Sequence, residues 1–116
     1  MDGPVQKHVR CPEPTKNRDE TYRWSKYRVT PSQWDYLISR YDGKCWACRE
    51  REAVQVDHYH APGTDFDSPR DLSLVRGAVC NRCNTVVGIY EERETKKTLG
   101  LIRKVKRYLK RDRPFA

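Results

Sequence analysis

Two Cys-x-x-Cys pairs, Cys45/Cys48 and Cys80/Cys83, bracket the string Val56-Asp57-His58-Tyr59-His60, and Asn84 directly follows the last cysteine. Each pair can set two thiolates on one side of a tight turn, and two such turns complete the tetrahedral shell of a structural zinc. The spacing therefore predicts Zn²⁺ on Cys45, Cys48, Cys80 and Cys83. That leaves the histidines, the aspartate and the asparagine for other work. Hydrolysis of a phosphodiester needs a water nucleophile, a base to deprotonate it, and a cation to stabilise charge on the phosphoryl and leaving oxygens. Asp57 offers a hard anionic oxygen and Asn84 a neutral amide oxygen, ligands that suit Mg²⁺ or Mn²⁺. His58 can serve as base, since a neutral imidazole accepts a proton near physiological pH without competing strongly for Mg²⁺. The alternative use of His58 and His60, as zinc ligands in place of a cysteine pair, meets a shell that four cysteines already fill.

The elements around these residues must solve a geometric problem. Val54 and Val56 alternate with Gln55 and Asp57, the pattern of a half-buried strand over 53–57. Adjacent residues of a regular strand point to opposite faces, so Asp57 and His58 can address one phosphate only if the strand ends or bulges there. Residues 72–79 read as a second strand leading into the second cysteine turn, with turn-rich 61–71 as a loop between. Asn84 then falls at or near the start of a helix running to about Glu92. Upstream, Thr30-Pro31-Ser32-Gln33 is a capping box, and Trp34, Leu37, Ile38 and Tyr41 form one apolar helical face closed by Asp42-Gly43. A last helix, about Thr98 to Arg111, would bury Leu101, Ile102, Val105, Tyr108 and Leu109. It would expose Arg103, Lys104, Lys106, Arg107, Lys110 and Arg111.

Composition agrees with a small stapled core. Of 116 residues, 36% are hydrophobic and 34% charged, with a mean hydropathy of −1.00, so a single domain stabilised by bound metal is expected. No apolar run is long enough to span a bilayer and no secretory signal is evident, which predicts no membrane partner, a cytoplasmic location, and zinc rather than disulfides. The net charge of +8 sits in one place. Residues 93–113 hold ten Lys/Arg against two acids, while the remainder balances at fourteen of each. A basic element of this density suits DNA, where neutralised phosphates release counterions; a solvated helix with no partner is the alternative. Residues 1–28 carry Pro4, Pro12 and Pro14 and no apolar period, and read as an extended arm. Its Lys16, Arg18, Arg23, Lys26 and Arg28, interleaved with Tyr22, Trp24 and Tyr27, could contact nucleic acid or pack onto the domain or a second subunit. His8 and Cys11 have ligand chemistry but no matching pair. The expected organisation is an arm at 1–28, a zinc-bound core at 29–92 and a basic helix at 93–116.

Together "CWAC", "VDHYH", "VRGAVCNRCN" and Gly88 resemble the recombination endonuclease VII family of phage-type nucleases, within the HNH or ββα-metal (His-Me finger) superfamily. The resemblance spans about Val29 to Tyr90, with Tyr108-Leu109 similar to the family's last helix. It implies an α+β fold, a small zinc-stabilised ββα-metal domain with flanking helices. It further implies structural zinc on the four cysteines, a catalytic divalent ion on Asp57 and Asn84, and water activation by His58. His60 matches the second histidine of the family's Asp-His-Asp-His run, with Tyr59 in place of Asp, and takes an auxiliary role. Arg76 matches an Arg-Gly before the second cysteine pair, where it could contact phosphate or pack across the hairpin. The implied activity is a Mg²⁺-dependent DNA endonuclease leaving 5′-phosphate and 3′-hydroxyl ends. A homodimer is compatible with it, because the family's helices interlock between subunits, and a phage-encoded protein would act inside a bacterial host. Two departures bear on substrate: Val87 stands where the junction-resolving type member has an acidic residue, and that member's longer C-terminal region has no counterpart in these residues. Cutting of ordinary duplex is therefore expected ahead of four-way-junction resolution. A non-catalytic zinc DNA-binding module is the competing class, against which Asp57, His58 and Asn84 are all intact.

Overall fold

The computed structural model describes residues 9–65, 67–92 and 99–116, with the backbone alone for 91–92 and 99–102. Expectations for His8, for the chain from Arg93 to Thr98, and for burial of Leu101 and Ile102 lie outside the described residues. The elements are α1 (Arg18–Tyr27), α2 (Pro31–Ser39), β1 (Gln55–His58), a 3₁₀ turn at Leu72–Leu74, β2 (Val75–Val79), α3 (Asn81–Glu92) and α4 (Leu99–Leu109). This is a small α+β domain. No helix among the described residues is long and apolar enough to cross a membrane.

The extended reading of the arm does not hold over α1. Asn17 caps the helix by accepting the Glu20 N–H at 2.9 Å, Asp19 and Glu20 sit in the first turn where the helix dipole favours anions, and Arg28 closes it in a left-handed conformation with φ 61°. None of its residues is buried, so it has no apolar stripe to reveal it. It attaches instead through side chains, with the Arg23 guanidinium 4.2 Å from the centre of the Trp34 ring.

α2 begins as the sequence requires. Thr30 accepts the Gln33 N–H, Gln33 returns to the Thr30 N–H, and Pro31 occupies the first turn where no N–H is needed. Leu37 is fully buried, while Trp34, Ile38 and Tyr41 pack against the core from its edge. Gly43, at φ 82°, makes the turn that an L-residue would resist, and its N–H reaches the Ile38 carbonyl. The first cysteine turn then lies between Lys44 and Glu52, which pair as an isolated bridge.

β1 and β2 form an antiparallel hairpin whose register pairs Gln55 with Val79, Val56 with Ala78, Asp57 with Gly77 and His58 with Val75. The jump at the last step leaves Arg76 as an extra residue on β2. The bulge falls at Asp57/His58, where two adjacent side chains needed to share a site, although β2 rather than β1 supplies the additional residue. The strand itself lies slightly later than expected, and the alternation is not simple: Val56 is buried but Val54 is exposed, while Asp57 and His58 are both buried. The expected second strand is divided, its first three residues forming the 3₁₀ turn that Asp71 caps. α3 starts three residues before Asn84, directly after Cys80, and packs on both β1 and α4. The core gathers Val29, Leu37, Trp46, Val56, Val75, Val79, Val87, Val105 and Tyr108 around the four cysteines.

Candidate active site and metal centre

The sulfurs of Cys45, Cys48, Cys80 and Cys83 lie within 4.8 Å of one another, and all four residues are buried. Backbone N–H groups approach two of them, Ala47 to Cys45 Sγ and Cys83 to Cys80 Sγ, each at 3.4 Å. Cys80 immediately precedes α3, and burial pushes its thiol up. A hydrogen bond from Cys83 holds the Cys45 thiol down to about 4, and the same contact pushes Cys83 up. A set of four soft ligands at this spacing fits a structural metal such as zinc. His58 and His60 are not members of that cluster.

A second centre lies on the hairpin beside it. Asp57 is only 4% exposed, yet its carboxylate is well supplied with donors. Arg76 Nε donates to Oδ2 at 2.8 Å and Nη2 to Oδ1 at 3.0 Å, a bidentate pair across the bulge, and the Tyr108 hydroxyl donates to Oδ2 at 2.6 Å from α4. Burial, and then the negative charge of Asp57, raise the Tyr108 phenol well above its ordinary value, so it remains a donor. Arg76 thus bridges the two strands of the hairpin.

A cleft of about 320 Å³ is lined by Asp57, His58, His60 and Asn84 together with Gln55, Asp67, Val87 and the α1 residues Tyr22, Lys26 and Tyr27. The His58 ring is packed at 4.7 Å from His60 and 5.4 Å from Tyr27, centre to centre. Burial raises the Tyr27 phenol to about 12, which keeps that wall neutral. Asn84, in the first turn of α3, donates Nδ2 to Gln55 Oε1 at 2.7 Å, which fixes the amide so that its carbonyl oxygen is what it can offer a cation. The four residues singled out for chemistry thus line one cleft. A carboxylate and an amide oxygen there form a hard donor set that fits Mg²⁺ or Mn²⁺.

The basic helix is divided in its engagement. Arg103, Lys106, Arg107 and Lys110 are exposed. Lys104 is instead bonded to Glu50 at 2.7 Å, and Arg111 donates to the Tyr41 hydroxyl and the Trp46 carbonyl, both at 3.2 Å. None of the six lines the cleft.

Sequence reading assigned no part in the site to Gln55 or Tyr108, and named Tyr27 only among the aromatic residues of the arm. For Tyr108 a signal existed: a tyrosine on the apolar face of an amphipathic helix brings a hydroxyl that needs a partner once buried. Nothing local named Asp57, 51 residues away, as that partner.

The fold and its two centres define an α+β domain built around a four-cysteine cluster suited to a structural metal, with a histidine-lined cleft at the hairpin bulge. Residues 20–111 match the family model described as recombination endonuclease VII, and the chain belongs to that family. The family suggests a DNA endonuclease or junction resolvase, with DNA as partner. No curated protein and no solved structure matches the chain.

Proposed function

We propose that the protein is a Mg²⁺- or Mn²⁺-dependent DNA endonuclease of the ββα-metal, His-Me finger type that nicks or cuts ordinary duplex. The observation that carries this reading is the register shift at Asp57/His58, which lets two consecutive residues line one cleft with Asn84. Asp57 and Asn84 would hold the catalytic ion. When bound, that ion supplies positive charge opposite the phosphoryl and leaving oxygens. His58, restrained between Tyr27 and His60, takes the proton of the attacking water. The water oxygen bonds to phosphorus in line with the departing 3′-oxygen, whose bond to phosphorus breaks and which takes a proton from solvent water, leaving 5′-phosphate and 3′-hydroxyl ends. His60 steadies the His58 ring or contacts the phosphate. The exposed Arg103, Lys106, Arg107 and Lys110 bind backbone phosphates.

Val87 bears on the choice of substrate. It is 2% exposed and lines the cleft as an apolar wall, so the acidic group of the junction-resolving relatives has no substitute at that position. A competition assay tests the reading: with Mg²⁺ present, linear duplex should be cut at least as fast as a four-way junction of matching sequence, and chelation should stop both. Much faster cutting of the junction, with paired symmetric cuts, would contradict the duplex preference and imply a dimer presenting two clefts to two strands. DNA binding without cleavage would leave a zinc-bound accessory module in place of an enzyme.

A further inference from the structure

The clamp on Asp57 reaches further than an ion pair needs to. Arg76 alone neutralises the carboxylate and occupies both its oxygens. The Tyr108 hydroxyl nevertheless arrives from α4 at 2.6 Å, on a residue 2% exposed, where a phenylalanine would fill the same space without burying a hydroxyl. The packing around it is correspondingly close. Gly77, the residue paired with Asp57, has no room for a side chain, because a Cβ there would lie 2.6 and 2.8 Å from Trp46 ring atoms and 3.1 Å from the Tyr108 ring. An indole and a phenol are thus seated directly on the strand beside the carboxylate. An ionised carboxylate has about four lone-pair sites. Among the described residues three are used, by Arg76 and Tyr108, two on Oδ2 and one on Oδ1, which leaves a site on Oδ1 for a cation, its direction set by the other three.

We propose that Tyr108 is a positioning residue for the catalytic cation: its hydroxyl, with Arg76, locks the Asp57 carboxylate in one orientation, leaving Oδ1 as the oxygen that Asp57, which lines the cleft, can offer the ion. This rests on the reading of Asp57 as a ligand of that ion. Hydrogen bonds to a ligating carboxylate typically contribute about 10- to 100-fold in metal affinity or activity. Because the hydroxyl is neutral, its removal acts on the orientation of the ligand far more than on its charge.

The experiment uses the zinc-loaded full chain and Mn²⁺ as probe, with free Mn²⁺ followed by electron paramagnetic resonance. Tyr108→Phe should weaken Mn²⁺ binding about 10- to 100-fold, with zinc content unchanged and cleavage recovering toward wild type as Mn²⁺ is raised. Unchanged or tighter Mn²⁺ binding overturns the proposal. Asp57→Asn run in parallel separates the two layers: if it too leaves Mn²⁺ affinity unchanged, the ligand assignment itself fails, whereas its loss of binding beside a normal Tyr108→Phe removes only the role of Tyr108. A second measurement needs no variant. In the wild-type protein the hydroxyl proton resonance of Tyr108 should shift on addition of Mg²⁺ but not of Na⁺, and a resonance that Mg²⁺ leaves in place contradicts the proposal.

Discussion

Asp57 and His58 are adjacent in sequence but are held by different neighbours, and their substitutions should fail in different ways. His58 packs against the rings of Tyr27 and His60, so His58→Ala leaves the buried ion pair of the hairpin in place. It should depress cleavage by about 10²- to 10⁴-fold while DNA binding and zinc content persist, as gel-shift and metal analysis would show. Asp57 is different. It neutralises a guanidinium that is itself only 9% exposed, and stripping one partner from a buried pair costs on the order of 3–5 kcal/mol. Asp57→Ala should therefore lower the melting temperature as well as abolish Mg²⁺-supported cleavage, whereas Asp57→Asn should lose cleavage with a smaller stability loss. Equal melting temperatures for Asp57→Ala and wild type would contradict the clamp. At this scale the sequence was informative about residue types and poor about partners. Ligand chemistry at Cys45, Cys48, Cys80 and Cys83 was legible from spacing alone, because each turn is local and the shell is small. The bonds of Asp57 to Arg76 and Tyr108 were not, because they join three elements distant along the chain.

Among the elements, the hairpin is the one on which the site depends. The need for a bulge at Asp57/His58 followed from strand geometry, but only pairing reveals which strand donates the extra residue. It is β2, at Arg76, so the Arg-Gly step has two separate duties: Arg76 pairs with Asp57, and Gly77 leaves space for Trp46 and Tyr108. Gly77→Ala should cost about 1–3 kcal/mol as overpacking, read as a lowered denaturant midpoint, and an unperturbed midpoint would contradict the close approach. The capping box of α2 was legible because every bond in it spans three residues; Thr30→Ala should cost about 1 kcal/mol by the same measurement. α1 was not legible. Its stability comes from Asn17, the acidic first turn and the Arg23–Trp34 stack rather than from an apolar stripe, and periodicity cannot see such a helix. Cys45→Ser or Cys80→Ser should lower zinc content and unfold or aggregate the protein, because the binding free energy of a structural metal counts toward folding. Cys11→Ser should change neither, and zinc retained after the Cys45 and Cys80 substitutions together would defeat the four-thiolate clip.

Over the whole molecule, the basic C-terminal helix stands apart from the cleft. The cleft is formed by α1, with its Lys26, the hairpin and α3, while the exposed Arg103, Lys106 and Arg107 lie on α4, which meets the hairpin through Tyr108 and Asp57. The uneven distribution of the +8 charge was legible at once; which cations are available was not, since Lys104 and Arg111 are drawn to Glu50, Tyr41 and Trp46. Neutralising Arg103, Lys106 and Arg107 together should flatten the salt dependence of DNA affinity by up to roughly 0.9 logarithmic units for each phosphate that the protein no longer neutralises, with zinc unchanged. An unaltered slope would move the DNA surface away from α4. The central claim, that the cleft is a metal-dependent nuclease site worked by His58, is tested most directly by plasmid nicking at matched zinc content. Wild type should convert supercoiled to open-circular DNA with Mg²⁺ and not with chelator, and His58→Ala should do so at least about 100-fold more slowly. Nicking by His58→Ala at the wild-type rate, or by wild type in chelator, would contradict the account.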